Sequence, residues 1–215
     1  MKNLTFAIIA SAIFGLASIS TQAQFTSYVY KKFENQNNHP DTLDWSASTT
    51  DKDGNIIVAS NTVLPGWGGT SNLLVTKFDS TGFPLWEKAW NGAFNNNDYG
   101  TAVDTDSSGN VYVAGATVAS AMPGDFDYVV LKYNSAGGLQ WWRLYGGAAE
   151  LYDVPTGILV DDTGAVYVTG ASYDNIADEA DYFTRKYDTD GNIIWSHRYD
   201  YAAVSYTHLT LPTRT

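Results

Sequence analysis

Few side chains in this 215-residue sequence could act in catalysis. It contains no cysteine, so neither a disulfide nor a thiolate nucleophile is possible. His39 lies in a polar stretch, and His197 stands two residues after Trp195, where the related segments carry Lys88 and Arg143. Neither histidine stands near serine or aspartate in a triad-like motif. We therefore expect no catalytic residue, and we expect His197 to be a surface residue of an outer strand.

Aspartate-rich segments offer oxygen ligands for a metal ion. Asp51–Asn55 and Asp188–Asn192 both read Asp-x-Asp-Gly-Asn, like the start of a calcium loop. An EF-hand loop also needs a bidentate glutamate at its twelfth position and flanking helices, which this sequence lacks. Asp, Asn and Gly are equally the residues that hairpin turns require. We expect turns without a cofactor, with weak calcium binding at these turns as the alternative.

Acidic and aromatic residues could also bind or cleave a sugar. Hydrolysis needs two carboxylates flanking the sugar in one cleft, but nearly every acid here belongs to a repeated turn. Asp79–Trp86 lacks the spacing of the sialidase box, Ser-x-Asp-x-Gly-x-Thr-Trp. Trp67, in the loop Pro65–Gly69, is not repeated, and loops on a rigid scaffold often carry function. We expect Trp67 either to contact a ligand or to fold onto the edge of its own unit.

The sequence contains an internal repeat, which two landmarks reveal. The first is an Asp-x-x-Gly turn before an alternating apolar segment, with glycines at Gly54, Gly109 and Gly164. The second is a Lys-aromatic segment that ends in a tryptophan, at Trp86, Trp141 and Trp195. Alternation and a high content of β-branched and aromatic residues predict four strands in each unit. In the third unit the predicted strands are Thr156–Val160, Ala165–Gly170, Tyr182–Tyr187 and Ile193–Tyr199.

Four-stranded antiparallel units repeated along a chain are typical of a β-propeller, in which blades stack around an axis. We therefore predict an all-β fold: a β-propeller of four-stranded antiparallel blades. About three blades are present, an incomplete ring, because rings normally have four to eight. The recurrent tryptophan would fill space between blades. The predicted boundaries are 1–23 for a signal peptide, 24–42 for an N-terminal strand and loop, 43–97, 98–152 and 153–203 for blades 1 to 3, and 204–215 for a non-native tail.

The middle unit carries the repeat motif most fully, at Ser108–Gly115, Asp127–Tyr133, Trp141 and Tyr145–Gly147. This pattern resembles the bacterial seven-bladed β-propeller (SBBP) repeats, and the resemblance extends over about residues 43–201. The first unit departs from the pattern at Asn72, and the third departs after Tyr199. The resemblance implies a secreted or surface-attached bacterial protein without defined catalytic residues.

The two ends of the sequence differ from the repeats. Met1–Ala23 has a positive start, an apolar run and an Ala-x-Ala-like end, which predicts a secretory signal peptide cleaved after Ala23. Phe25–Glu34 predicts a lone strand that could close a ring. Val204–Thr215 lies outside the repeat, and its back-translation resembles a sequencing-library adapter. No segment of the mature chain is long and apolar enough to predict a membrane span.

The charge balance narrows the range of partners. A formal net charge of −11 disfavours binding to nucleic acid. We expect a secreted or cell-surface protein with a non-enzymatic binding or scaffold role, and with protein or glycan as its ligand. The alternatives are a fragment of an extracellular carbohydrate-active enzyme whose catalytic site lies in missing regions, and a purely structural spacer.

Overall fold

A computed structural model of the chain describes residues 46–63, 70–120, 125–149, 151–173 and 180–199, which form twelve β-strands and no helix. The first sheet comprises β1 (Ala47–Thr50), β2 (Ile56–Val63), β3 (Ser71–Phe78) and β4 (Pro84–Trp90). The second comprises β5 (Asp98–Thr105), β6 (Val111–Val118), β7 (Phe126–Tyr133) and β8 (Leu139–Tyr145). The third comprises β9 (Val154–Val160), β10 (Val166–Ser172), β11 (Asp181–Tyr187) and β12 (Ile193–Tyr199).

Each sheet is an antiparallel meander in which consecutive strands are neighbours. The all-β fold and the four-stranded antiparallel units are thus confirmed. In the third sheet the strands β9 and β10 extend two residues beyond the predicted limits, β9 at its start and β10 at its end. The predicted signal peptide, N-terminal strand and C-terminal tail lie outside the described residues. No helix in the described ranges is long and apolar enough to cross a membrane.

The hairpin turns owe their shape to one repeated arrangement of aspartate or asparagine with glycine. In the first turn the Asp51 carboxylate accepts hydrogen bonds from the backbone N–H groups of Asp53 and Asn55, at 2.9 and 3.0 Å. Gly54 has φ +76°, a conformation that disfavours residues with a Cβ. The same glycine position has positive φ in all six described hairpin turns, at Gly54, Gly82, Gly109, Gly137, Gly164 and Gly191. The Asp-x-x-Gly landmark is therefore a turn that joins antiparallel strands.

The second sheet packs between the other two and is covered on both faces. Side chains at alternate positions on its strands point to opposite sides. One set, including Val111 and Val129, packs against Ile57 and Leu73 of the first sheet. The other set, including Tyr112 and Val130, packs against residues of the third sheet such as Phe183. The first strands of the three sheets lie side by side: β1 contacts β5, and β5 contacts β9.

The repeated tryptophan joins each sheet to the next. The indole Nε1 of Trp86 donates to the carbonyl of Ser135, and that of Trp141 donates to the carbonyl of Thr189, both at 3.0 Å. Each acceptor lies in the turn between the third and fourth strands of the following sheet. A Cβ added to Gly137 would lie 2.9 Å from Trp86, so the indole seats closely on this turn. The recurrent tryptophan therefore fills space between sheets, as the sequence predicted.

Candidate functional site

The aspartates of the repeated turns are engaged by their own turns. Burial alone would raise the pKa of Asp51, but hydrogen bonds from Lys77 and Asn55 outweigh this and lower its pKa to about 2. The Asp106 carboxylate likewise accepts from the Asn110 amide and the Tyr112 hydroxyl, at 2.7 and 3.0 Å. The described part of the chain contains no group of three or more His, Cys, Asp or Glu residues that could hold a metal ion.

Two further aspartates are buried where the chain crosses from one sheet to the next. Asp98 begins β5 and accepts from the Thr117 hydroxyl and from the backbone N–H of Gly92, the latter at 2.9 Å. Asp153, just before β9, accepts in the same way from the N–H groups of Gly147 and Tyr173. These carboxylates therefore fasten the two crossings, and their hydrogen bonds account for their burial.

Burial changes the acidity of both crossing aspartates. It raises the pKa of Asp98 to about 6, although the hydrogen bonds from Thr117 and Gly92 act in the opposite direction. Burial also raises the pKa of Asp153, against hydrogen bonds from Ser172, Gly147 and Tyr173. A perturbed carboxyl group can mark a catalytic site. Here each carboxylate hydrogen-bonds to the segment that connects its sheet to the preceding one. The raised pKa of each aspartate therefore reflects packing.

A cluster of three aromatic rings lies at the end of the second sheet where β5 and β7 begin. We call Tyr99, Phe126 and Tyr152 the aromatic edge. The ring centroids of Tyr99 and Phe126 are 5.7 Å apart, and those of Phe126 and Tyr152 are also 5.7 Å apart. The Phe126 and Tyr152 rings are close to parallel, with an interplanar angle of 20°. Tyr99 is buried, whereas Tyr152 is 54% exposed, so the cluster runs from the core to the solvent.

Local backbone contacts hold the exposed ring in place. The N–H of Asp153 donates to the carbonyl of Phe126 at 2.6 Å, which ties the segment carrying Tyr152 to the start of β7. The Asp153 carboxylate is itself held by Gly147 and Tyr173. Tyr152 is thus a solvent-exposed ring on a fixed backbone, the kind of rigid amphipathic surface that suits ligand contact.

Among the described residues, the aromatic edge occurs only at the second sheet. Ser71 pairs with Val63 as Phe126 pairs with Val118, so Ser71 occupies the corresponding position in the first sheet. The position of Tyr99 is taken by Val154 in the third sheet. The fold therefore does not require these rings, and a local role explains them better than a repeated structural one.

A buried acceptor lies next to this cluster in sequence. Asp125 precedes Phe126 directly and is only 4% exposed. Its Oδ1 is buried and has no hydrogen-bond partner in the described part of the chain. Because an unpaired buried oxygen is costly, such a group is available to a donor that a ligand brings. Tyr152 thus offers an exposed ring for stacking, and Asp125 offers a buried acceptor next to Phe126 in sequence.

The residues predicted from the sequence lie elsewhere. Trp67 and His39 fall outside the described residues. His197 is exposed on β12, the outermost strand of the third sheet, with its ring 5.2 Å from that of Trp195. The aromatic edge was missed because its members are far apart in sequence. An aromatic residue at a position that varies between repeats, as in Trp67, was the signal that could have found Phe126 and Tyr152.

Comparison with known proteins gives no family. No protein family and no curated protein matches the chain. A protein of unknown function from Dyadobacter fermentans DSM 18053 is similar in structure, with 13% sequence identity and a TM-score of 0.48 over 72% of this chain and 53% of the other. The chain thus spans about half the length of that protein. A fucose lectin from Kordia zhangzhouensis in complex with methyl-fucoside is similar with 16% identity and a TM-score of 0.41, over 73% of this chain and 98% of the lectin.

Proposed function

We propose that this chain is part of a β-propeller of SBBP-type repeats that binds a neutral glycan at the aromatic edge, without catalysing a reaction. In this proposal the protein is exported after cleavage following Ala23 and acts at a bacterial surface. The observation that carries the ligand assignment is the exposed ring of Tyr152, which stacks on Phe126, whose position in the first sheet is taken by Ser71.

The contact that the repeated tryptophan makes with the following sheet, here called the joint, supports the propeller arrangement. Trp86 and Trp141 make the same hydrogen bond to the sheet that follows each of them. The first strand of each sheet also lies next to the first strand of the following sheet. Applying one such step repeatedly places successive sheets around a common axis, which is how propellers are built.

Ring geometry and charge support a neutral glycan. The C–H face of a sugar ring is flat and apolar, and it can pack on an exposed aromatic ring whose hydroxyl remains solvated. The chain carries a net charge of −11, which disfavours acidic glycans as it disfavours nucleic acid.

Glycan binding can be tested on the full chain with an array of neutral and acidic oligosaccharides, followed by titration of the best neutral binder. We expect Tyr152→Ala to weaken binding by at least about tenfold, the usual effect of removing a central aromatic contact. Tyr182→Ala is the matched control, because Tyr182 is also an exposed tyrosine, at 68%, but lies on the third sheet. Its removal should leave binding unchanged.

Three results would contradict the proposal. Equal losses in the two variants would place the site away from the aromatic edge. An array without any binder, together with capture of a protein ligand that depends on Tyr152, would favour a protein ligand. Turnover of a polysaccharide would show that the protein is an enzyme.

A further inference from the structure

One face of the third sheet has no neighbouring sheet in the described part of the chain. Val166, Val168 and Phe183 pack toward the second sheet, so the residues that alternate with them lie on the opposite side. We call that side the open face. Its members in register across the sheet are Leu159, Tyr167, Thr169, Tyr182, Thr184, Lys186, Trp195, His197 and Tyr199. Three of its large side chains are exposed, with Leu159 at 59%, Tyr182 at 68% and Tyr199 at 56%.

The same positions on the second sheet are completely covered. Tyr112, Ala114, Tyr128 and Val130 correspond to Tyr167, Thr169, Tyr182 and Thr184 by their pairing across the central strands. All four residues of the second sheet are at most 1% exposed, because the third sheet packs on them. The open face therefore repeats the layout of a surface that this fold covers with another sheet.

The polar groups that bridge the second and third sheets also have counterparts on the open face. Lys132 Nζ donates to the carbonyl of Thr189 at 2.9 Å, and Arg143 donates to the carbonyls of Gly191 and Asp190 at 2.7 and 2.9 Å. Lys186 and His197 occupy these two positions on the third sheet. Lys186 has no following turn to reach among the described residues, and it folds back onto the Tyr167 hydroxyl.

Covering the open face would leave its central polar groups satisfied. Thr169 and Thr184 replace the alanine and valine of the second sheet, and their hydroxyls hydrogen-bond to each other at 2.9 Å. The Thr169 hydroxyl is also 3.3 Å from the carbonyl of Phe183. Because the pair has acceptors within its own sheet, burial costs little in lost hydrogen bonds.

We propose that the open face docks a further four-stranded repeat unit, with the turn between its third and fourth strands seated under Trp195. The two existing joints define what this partner carries. Trp86 packs on Tyr133 and Trp141 on Tyr187, with ring centroids 6.1 and 6.3 Å apart. A glycine follows each tyrosine by four residues, where a Cβ would meet the indole at 2.9 Å. The partner turn thus reads Tyr-Asp/Asn-x-x-Gly.

This inference rests on the propeller arrangement proposed above but not on glycan binding, so the two can fail separately. The test compares the 215-residue chain with the protein made from the complete reading frame of the same locus. Because the chain contains no cysteine, Thr169→Cys gives a single thiol at the centre of the open face. Ser196→Cys is the matched control, since Ser196 is also exposed but alternates with Trp195 and His197 and so faces the other side.

We expect both thiols to react with a maleimide at similar rates in the 215-residue chain. In the longer protein Thr169→Cys should react at least about tenfold more slowly than Ser196→Cys, because labelling would require the docked unit to open. Equal rates there, or a reading frame without a further Tyr-Asp/Asn-x-x-Gly repeat, would overturn the proposal. Protection of Thr169→Cys in the 215-residue chain that grows with its concentration would also overturn it, because the occupant would then be a second copy.

Discussion

The second and third sheets present corresponding residues on one face, yet among the described residues only the second sheet has that face covered. Tyr112 and Tyr167 occupy the same position, and each donates its hydroxyl to the aspartate of its own turn, at 3.0 Å. Tyr112 is fully buried beneath the third sheet, whereas Tyr167 is only partly buried. Identical local chemistry therefore exists in both sheets, and the difference between them comes from the neighbour.

The repeated lysine shows most clearly what a neighbour changes. In the first sheet Ile57 stands where the other sheets carry tyrosine, and Lys77 reaches Asp51 directly at 2.8 Å. In the second sheet Lys132 reaches across to the turn of the third sheet. In the third sheet Lys186 donates to the hydroxyl of its own Tyr167. The role of the lysine is therefore set by the residue beside it and by the sheet that follows.

Removal of the repeated tryptophan should have the largest effect. Trp141→Ala removes packing on Tyr112 and Tyr187 together with the hydrogen bond to Thr189, and it should lower the free energy of unfolding by about 3 kcal/mol. Trp195→Ala loses contact with Tyr167 and His197 of its own sheet and should cost less than about 1 kcal/mol. Urea unfolding followed by far-UV circular dichroism measures both. Equal losses would show that the joint between sheets adds nothing to the stability.

The next effect concerns the crossing between the first and second sheets, which contains the buried Asp98. The pKa of Asp98 is about 6 in the folded chain and about 4 when unfolded, so the folded state binds the proton more tightly. Its contribution to stability is therefore greatest below pH 4 and decreases as the pH rises from about 4 to about 6. Asp98→Asn mimics the protonated group, so its stability relative to the native chain should rise by about 2 kcal/mol over this range.

Urea unfolding at several pH values between 4 and 7 tests this effect. Asp79→Asn is the control, because hydrogen bonds from its own turn lower the pKa of Asp79, led by that from Thr81, so it titrates below this window. Its difference from the native chain should stay constant as the pH rises from 5 to 7. A pH-independent difference for Asp98→Asn would mean that the crossing carboxyl is not desolvated.

The sequence predicted what is local and missed what depends on distant partners. The Asp-x-x-Gly turns and the alternating strands were predictable because a turn's aspartate and glycine act within five residues. The tryptophan could be assigned to the space between sheets because it recurs once in every unit. The three targets of the repeated lysine could not be predicted, since they depend on Ile57 and on the Thr189 turn.

The candidate site was harder to predict for the same reason. Sequence reasoning favoured Trp67 because it stands alone in a glycine-rich loop. Tyr99 and Phe126 lie on two different strands of the second sheet, and Tyr152 lies on the segment that leads to the third. They meet only because the crossing after β8 returns to the start of β7. No periodicity links such residues, so the three-dimensional path of the crossing was needed to bring them together.

The smallest effect compares two glycines of the same conformation. Gly191 and Gly109 both have φ +77°, so alanine at either position meets the same backbone strain. A Cβ at Gly191 would also lie 2.9 Å from Trp141 and 3.1 Å from Arg143, whereas one at Gly109 would be 3.6 Å from Ser135. Gly191→Ala should therefore be less stable than Gly109→Ala by about 1 kcal/mol, the cost of overpacking the joint.

Thermal unfolding of the two variants measures this difference directly. It should become smaller when both are made together with Trp141→Ala, because only the contact with Arg143 then remains. A difference of unchanged size would assign the cost of the Gly191 variant to its own turn rather than to its contact with Trp141.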